Sequence, residues 1–214
     1  MFNTDINTNN KFITFEGIDG CGKTTQSKRL SDHLESLGEP VIVTSELNGT
    51  GVYEKFKDIL MNYNIEPLTE ILLVMAARHE HLQLTLLPAF HANKWVICDR
   101  FIDSTASYQG QYRGFGIDGI YELHRGIIPA IQADITFFID LDVEESIRRA
   151  NYRDSNSGIP YEGKCTAKYQ RIKDHFTQLL NTRPDRIVRI DANGLSAEEV
   201  HAKVVEVLRE RKII

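Results

Sequence analysis

The stretch Gly17-Ile18-Asp19-Gly20-Cys21-Gly22-Lys23-Thr24 follows the pattern G-x-x-x-x-G-K-[ST] and stands between a strand and a helix. Ahead of it, Phe12-Ile13-Thr14-Phe15 is a short apolar run of strand type. Behind it, Leu30, Leu34 and Leu37 recur at helical spacing until Gly38, a natural stop. Glycines let successive backbone N–H groups curl around phosphate oxygens where a Cβ would intrude. The helix that follows turns its positive end toward the same anion. The pattern therefore predicts a nucleoside triphosphate site built from Gly17, Asp19, Gly20, Cys21, Gly22, Lys23, Thr24 and Thr25. Lys23 reaches the outer phosphates in this reading, and the Thr24 hydroxyl takes a place on Mg2+.

Such a loop belongs in an α/β protein, and the rest of the chain agrees. Its 214 residues suffice for one α/β domain with a substantial core, and are too few for two comfortable ones. Strand and helix signals alternate from end to end, the pattern of a parallel sheet with helices on both faces. Pro40 to Thr44 forms a second strand, followed by a polar loop with Glu46, Asn48, Gly49 and Gly51. A long helix covers about 69–91, with Ile71, Leu72, Met75 and Leu82 apolar, and Pro88 is expected to bend or end it. Trp95-Val96-Ile97-Cys98-Asp99 and Ile135-Thr136-Phe137-Phe138-Ile139-Asp140 are buried strands, separated by a loop with Gly110, Gly114 and Gly116 and then a helix. Val143, Ile147 and Ala150 mark a helix that runs into Arg153 and a polar segment at 154–163. A helix over about 166–180, a strand at 186–190 and a final helix opened by the capping box Ser196-Ala197-Glu198-Glu199 complete the chain. Neither an internal repeat nor a linker separates two cores. The expectation is a disordered or frayed polar tail at 1–10 and a single domain over 11–214, with about five strands.

Charge and cysteines narrow the function classes. A net charge of −5 argues against a general nucleic-acid surface, so phosphate sites must be local clusters of Arg and Lys. No apolar run approaches the ~20 residues that cross a bilayer, and 1–10 lack the basic and apolar regions of a secretory signal. Cys21, Cys98 and Cys165 are scattered without C-x-x-C spacing, which points to a reducing compartment and a cytoplasmic protein. His79-Glu80-His81 lacks the H-E-x-x-H spacing that puts two histidines on one helix face, so both are expected to be solvated. Cys21 is assigned no catalytic role, and Trp95 and Tyr112 are expected to pack rather than stack on bases.

In open α/β sheets the ligand sits beyond the carboxyl ends of the strands. Asp99 ends such a strand, where a second carboxylate of a phosphate-loop site holds Mg2+ directly or through water; a charged residue leaving the core is the plainer account. Arg100 beside it brings a cation to the same mouth.

Asp99-Arg100-Phe101-Ile102-Asp103-Ser104-Thr105-Ala106-Ser107-Tyr108-Gln109-Gly110 resembles the D-R-[YFH]-x-x-S-[ST]-x-A-Y-Q-G signature of thymidylate kinases. Phe15-Glu16-Gly17-Ile18-Asp19-Gly20 is similar to the family's F-E-G-x-[DE]-G opening, and Leu72-Leu73-Val74-Met75-Ala76-Ala77-Arg78 to its L-x-F-x-A-x-R. The resemblance runs from Phe12 to the last helix. It implies a three-layer P-loop NTPase fold and transfer of the γ-phosphoryl group of ATP to dTMP, giving dTDP and ADP on the way to dTTP, with Mg2+ as the cation. It also implies a homodimer, and dTMP as the small-molecule partner. Carried over by residue, Asp19 meets the substrate sugar and phosphate region, Arg78 lies over the thymine and Arg100 grips the acceptor phosphate. Ser104 belongs to the acceptor site, Thr105 falls where the base is hydrogen-bonded, Tyr108 crowds the 2′ position, and Gln109 lies beside it. One branch of the family places an arginine inside the phosphate loop. Here Gly20 stands there, which matches the branch with arginines on a mobile lid. Arg148, Arg149 and Arg153, within a lid over about 148–164 and ahead of its polar segment at 154–163, are the candidates, with Arg149 toward ATP and Arg153 catalytic.

The chain departs from the family in three places. T-R-E-P-G-G-T appears as Thr44-Ser45-Glu46-Leu47-Asn48-Gly49-Thr50, with one arginine fewer; Glu46 is there either to orient Mg2+-bound water or as an exposed loop residue. Val74 stands at the base-stacking Phe, with Met75 as its possible substitute. The lid's D-R-x-E is replaced around Ile159-Pro160-Tyr161-Glu162. Two other functions therefore stay open. A deoxynucleoside kinase would accept a 5′-hydroxyl and need a general base near it. A nucleotide-binding scaffold would have weakened turnover. A GTPase is excluded, because Asn10-Lys11 and Asn93-Lys94 lack the N-K-x-D that reads guanine.

Overall fold

The computed structural model describes residues 11–46, 51, 55–56, 59, 62–111, 114–127, 131–157 and 165–214. The tail at 1–10, most of the loop after Glu46, Tyr112 and the segment 158–164 lie outside the described residues.

Five strands form one parallel sheet in the order β2-β3-β1-β4-β5: β1 Phe12–Glu16, β2 Val41–Ser45, β3 Trp95–Asp99, β4 Ile135–Asp140 and β5 Ile187–Asp191. The three inner strands read as near-continuous apolar runs because helices cover both their faces, and β1 and β4 are buried at every position. On the edge strand β2 no position is fully buried: Val43 is exposed and its four neighbours are half-buried. β1 lies at the centre, in register with β3 on one side (Phe15 opposite Asp99) and β4 on the other (Phe15 opposite Phe137). Its carboxyl end is therefore where the order of connection reverses, and a crevice opens at such a point.

Helix α1 spans Lys23–Ser36. Leu30 and Leu34 are fully buried, but Leu37 is the exposed residue that closes the helix ahead of Gly38, whose φ is +84°. The expected long helix comes in three joined pieces: α2 Pro67–His81, a wider π turn Leu82–Leu86 and α3 Leu87–His91. Pro88 does not end it. A proline cannot donate a helical hydrogen bond and clashes with the carbonyl of the preceding turn, and the widened turn lies where that clash would fall. After β3, the short helix α4 Ile102–Thr105 widens into a second π segment, Ala106–Gln111, and α5 spans Ile117–Ile127. Helix α6, Val143–Ser157, continues past Arg153 through part of the stretch expected to be a loop. Helix α7 spans Thr166–Thr182, and α8, Ala197–Glu210, opens on the expected capping box, with Ser196 and Glu199 exchanging hydrogen bonds.

Stacked and edge-on rings tie these layers together. Phe15 stacks on Phe137 at 5.4 Å between β1 and β4. Phe101 meets Phe12 edge-on at 5.1 Å, and Phe138 stacks on Phe176 at 5.1 Å, seating α7 on β4. Burying each such ring contributes about 1.5–3 kcal/mol. Trp95 packs as expected, and its indole N–H donates to Glu39 at 2.8 Å. His81, expected in solvent, is fully buried and shares a 2.7 Å hydrogen bond with Thr44 on β2. Thr44 and the neighbouring Glu46–Arg78 pair give that polar ring a place inside.

Candidate active site

The loop from β1 to α1 turns on backbone that only glycine adopts easily. Gly20 has φ +86°, and a Cβ there would lie 2.0 Å from the Ser146 carbonyl of α6. A side chain at this position would push α6 off the loop, which accounts for the absence of a loop arginine. Gly22 has φ +106°, and a Cβ on it would meet no atom within 4 Å, so it borders open space at the mouth of α1. Exposed Thr24 and Thr25 border an open depression there with Lys28, Arg29 and Asp32. Lys23 is buried; its ammonium donates to the Ile18 carbonyl at 2.9 Å and lies 3.8 Å from the Cys21 sulfur. Burial pushes the Cys21 thiol up, so the cysteine fills space beneath the loop.

The Thr24 hydroxyl donates to Oδ2 of Asp99. Oδ1 of Asp99 is buried with no hydrogen-bond partner among the described residues. A hydroxyl at the start of α1 and an under-satisfied carboxylate at the end of β3 are the oxygen donors that Mg2+ takes. The residues present fit that cation.

Across the mouth, Arg100 takes a left-handed backbone, φ +69°, immediately after β3. A non-glycine residue in that region costs about 1–2 kcal/mol, and the bend turns its guanidinium back over the loop. Nη2 donates to Oδ1 of Asp19 at 2.5 Å, Nη1 to the Gly17 carbonyl at 3.2 Å and to the Ser104 hydroxyl at 3.0 Å. The Tyr108 ring lies 5.1 Å from the guanidinium carbon. Burial alone would raise the pKa of Asp19, but Arg100, Lys23 and a hydrogen bond from Tyr169 hold it well below the usual carboxylate range.

Beneath Arg100 lies Glu16, fully buried at the end of β1. Its Oε1 accepts from the backbone N–H groups of Phe101 (2.7 Å) and Ser104 (3.3 Å), and its Oε2 from the Ser104 hydroxyl. Burial first, and then the charge of Asp103, raise its pKa to about 8.

Arg78 is fully buried. It makes a two-pronged ion pair with Glu46, donates to the Thr105 hydroxyl and, at 3.2 Å, to the Met75 sulfur, and lies 5.4 Å above the Phe101 ring. Glu46 is thus no exposed loop residue, being 1% exposed. Met75 is not a substitute stacking platform; it supports Arg78 from inside the core, next to buried Val74. A second buried pair, Asp103–Arg186 at 2.6 Å, ties α4 to the far side of the sheet, with Tyr121 and Thr136 in the same network.

The family model described as thymidylate kinase matches residues 15–204. The chain belongs to the thymidylate kinase family. Over 191 residues it is 46% identical to the thymidylate kinase of Rickettsia africae, covering 89% of this chain and 93% of that one. Over 194 residues it is 45% identical to that of Rickettsia typhi, covering 91% and 95%. It superposes on the crystal structure of thymidylate kinase from Ehrlichia chaffeensis with a TM-score of 0.74 at 34% identity, over 94% of this chain and 98% of that one. The five-stranded parallel sheet with flanking helices is the P-loop NTPase fold of this family.

Of the residues read from the family's motifs, Asp19, Arg100, Ser104 and Tyr108 converge on one mouth, beside Lys23, Thr24 and Asp99. Arg78 and Thr105 bond to each other one layer deeper. Gln109 turns away and donates to Glu70 on α2 at 3.0 Å. The three arginines of α6 bond to carboxylates of their own helix: Arg148 and Arg149 to Glu145, and Arg153 to Asp154. Glu16 and Tyr169 belong to the site without being among the residues that the sequence motifs assign to it. Glu16 carried the signal that singled out Asp99, a carboxylate closing an apolar strand. Tyr169 carried none, since a tyrosine on a helix is ordinary.

Proposed function

We propose that the chain transfers the γ-phosphoryl group of ATP to the 5′-phosphate of dTMP, giving dTDP and ADP, with the glycine loop as the donor site and the Arg100 mouth as the acceptor site. The observation that carries this reading is the contact of Arg100 with Asp19: a guanidinium brought by a strained turn onto the phosphate loop itself, where two polyanions have to meet in line. Lys23 leaves the Ile18 carbonyl for an outer phosphate oxygen of ATP, and the loop amides with the start of α1 hold the rest. Thr24 and Asp99 hold Mg2+, which when bound neutralises phosphate charge. Arg100, steadied by Ser104 and Glu16, holds the acceptor phosphate, and Tyr108 closes the sugar side. Arg78, clamped by Glu46, faces the base through Thr105.

Charge argues for an acceptor that already carries phosphate. A 5′-hydroxyl acceptor needs a free general base, yet Asp19 and Glu46 are both held by arginines. The range 11–214 is one domain in this reading, and 148–164 its lid, with Arg149 toward ATP and Arg153 toward the transferring group. A homodimer is supported by family membership and by the exposed Leu68 and Leu72 on α2. A cytoplasmic site is supported by Cys21, Cys98 and Cys165, all free thiols, and no helix among the described residues is long and apolar enough to cross a membrane.

A coupled assay of ADP release with dTMP, dUMP, dGMP and thymidine tests the assignment. ADP release with dTMP ahead of the other three is expected. Turnover with thymidine but not dTMP would make it a nucleoside kinase, and none with any acceptor a binding scaffold.

A further inference from the structure

Asp19 is held from two sides. Its Oδ1 takes the Arg100 N–H, and its Oδ2 accepts the hydroxyl of Tyr169 at 2.9 Å, from a residue 150 positions away in sequence. The carboxylate sits in a loop bounded by Gly17 at φ +140° and Gly20 at φ +86°. Backbone of that kind does little to fix a side chain, so the two tethers set its direction. The tyrosine end is rigid. Tyr169 is 7% exposed in the first turn of α7, and that helix is anchored by the Phe138–Phe176 stack. It is also anchored by His175 on the Ser107 carbonyl, at 3.2 Å.

We infer that Tyr169 is a positioning residue for the acceptor phosphate, acting through Asp19 on Arg100. This rests on the proposed role of Arg100. Asp19 and an incoming phosphate compete for the same guanidinium N–H. A carboxylate that already accepts a hydrogen bond holds an arginine less tightly than one that does not. By supplying that bond, Tyr169 leaves Arg100 free to turn from Asp19 to the phosphate, and keeps the carboxylate's charge pinned toward α7, away from the incoming anion. Tyr169 makes no hydrogen bond to Lys23, Thr24 or the loop amides among the described hydrogen bonds, so its direct contact with the loop is the Asp19 carboxylate.

The test is Tyr169→Phe, which removes one oxygen and leaves the ring packed. The expected result is a KM for dTMP raised about ten-fold, the size of one hydrogen bond to a charged group, with kcat and the KM for ATP within about two-fold of the parent. In an Asp19→Asn background the same substitution is expected to add nothing further, since the group it acts through has lost its charge. An unchanged KM for dTMP, an equal rise in both KM values, or independent effects of the two substitutions would overturn the inference and leave the assignment of the reaction intact. Absence of dTMP turnover in the parent enzyme would remove the assignment, and the inference with it.

Discussion

On the donor side of this cleft the anion meets backbone: amides released by Gly20 and Gly22, the start of α1, and one buried lysine. On the acceptor side it meets side chains held by other side chains, with Arg100 bound to Asp19 and Ser104, Ser104 to Glu16, and Arg78 to Glu46. The first half is local in sequence, and the second spans the sheet. A backbone cradle needs only glycines at the right spacing. A buried arginine needs its carboxylate, because a charge left unpaired in the interior costs several kcal/mol. The donor half should therefore lose chemistry without losing stability, whereas the acceptor half should lose both together.

Lys23→Ala gives the largest expected effect on rate. ADP release with dTMP should fall about 100- to 1000-fold, the usual loss when a transition-state charge donor is removed, with the thermal midpoint little changed. A large drop in the midpoint would erase the contrast between the halves. Glu46→Ala tests the other side. It leaves Arg78 buried without its partner, and stability should fall by about 3–5 kcal/mol, which a thermal melt reads as a drop of about 10 °C or more. A melt that does not move would show that this pair does not hold the acceptor half together.

The smallest effect is in the pH dependence. Glu16 has its folded pKa raised to about 8 from an ordinary 4.5. The folded state then binds more protons than the unfolded one between those values, so stability is full below the unfolded pKa and declines as pH rises through the folded one. His124 runs the other way: burial first, then Arg78, push it down to about 4 from 6.5, so its contribution is lost as pH falls below 6.5. Between pH 6.5 and 8 the Glu16 slope stands apart from that of His124. Thermal midpoints across that window should decline in the parent and stay flatter in Glu16→Gln, whose amide can still accept from Phe101 and Ser104. Parallel profiles would mean that Glu16 is ionised in the folded protein and bound as tightly as any surface carboxylate.

Much of the cleft was legible because it is local. The phosphate loop, its flanking strand and helix, and the Asp99-Arg100 run each lie within a few residues, and chain geometry carries them directly into place. The helix at 69–91 was legible in extent but not in form, because the way a chain absorbs Pro88 depends on what packs against the widened turn. His81 misled, and Glu46 stayed open between two readings, for a related reason. A histidine and a loop glutamate look solvated until Thr44 and Arg78 arrive from other elements to bond them.

Composition, periodicity and one glycine pattern were enough to specify a parallel α/β sheet and an anion cradle at the end of its first strand, since both follow from backbone constraints that act over short spans. Only the tertiary structure decided which carboxylate holds which arginine, because that choice depends on distances between residues far apart in the chain. Asp19 reaches Arg100 and Tyr169, Glu46 reaches Arg78, and Asp103 reaches Arg186. Each pairing depends on folding to bring charges within hydrogen-bond reach and to remove the water that would otherwise have satisfied them.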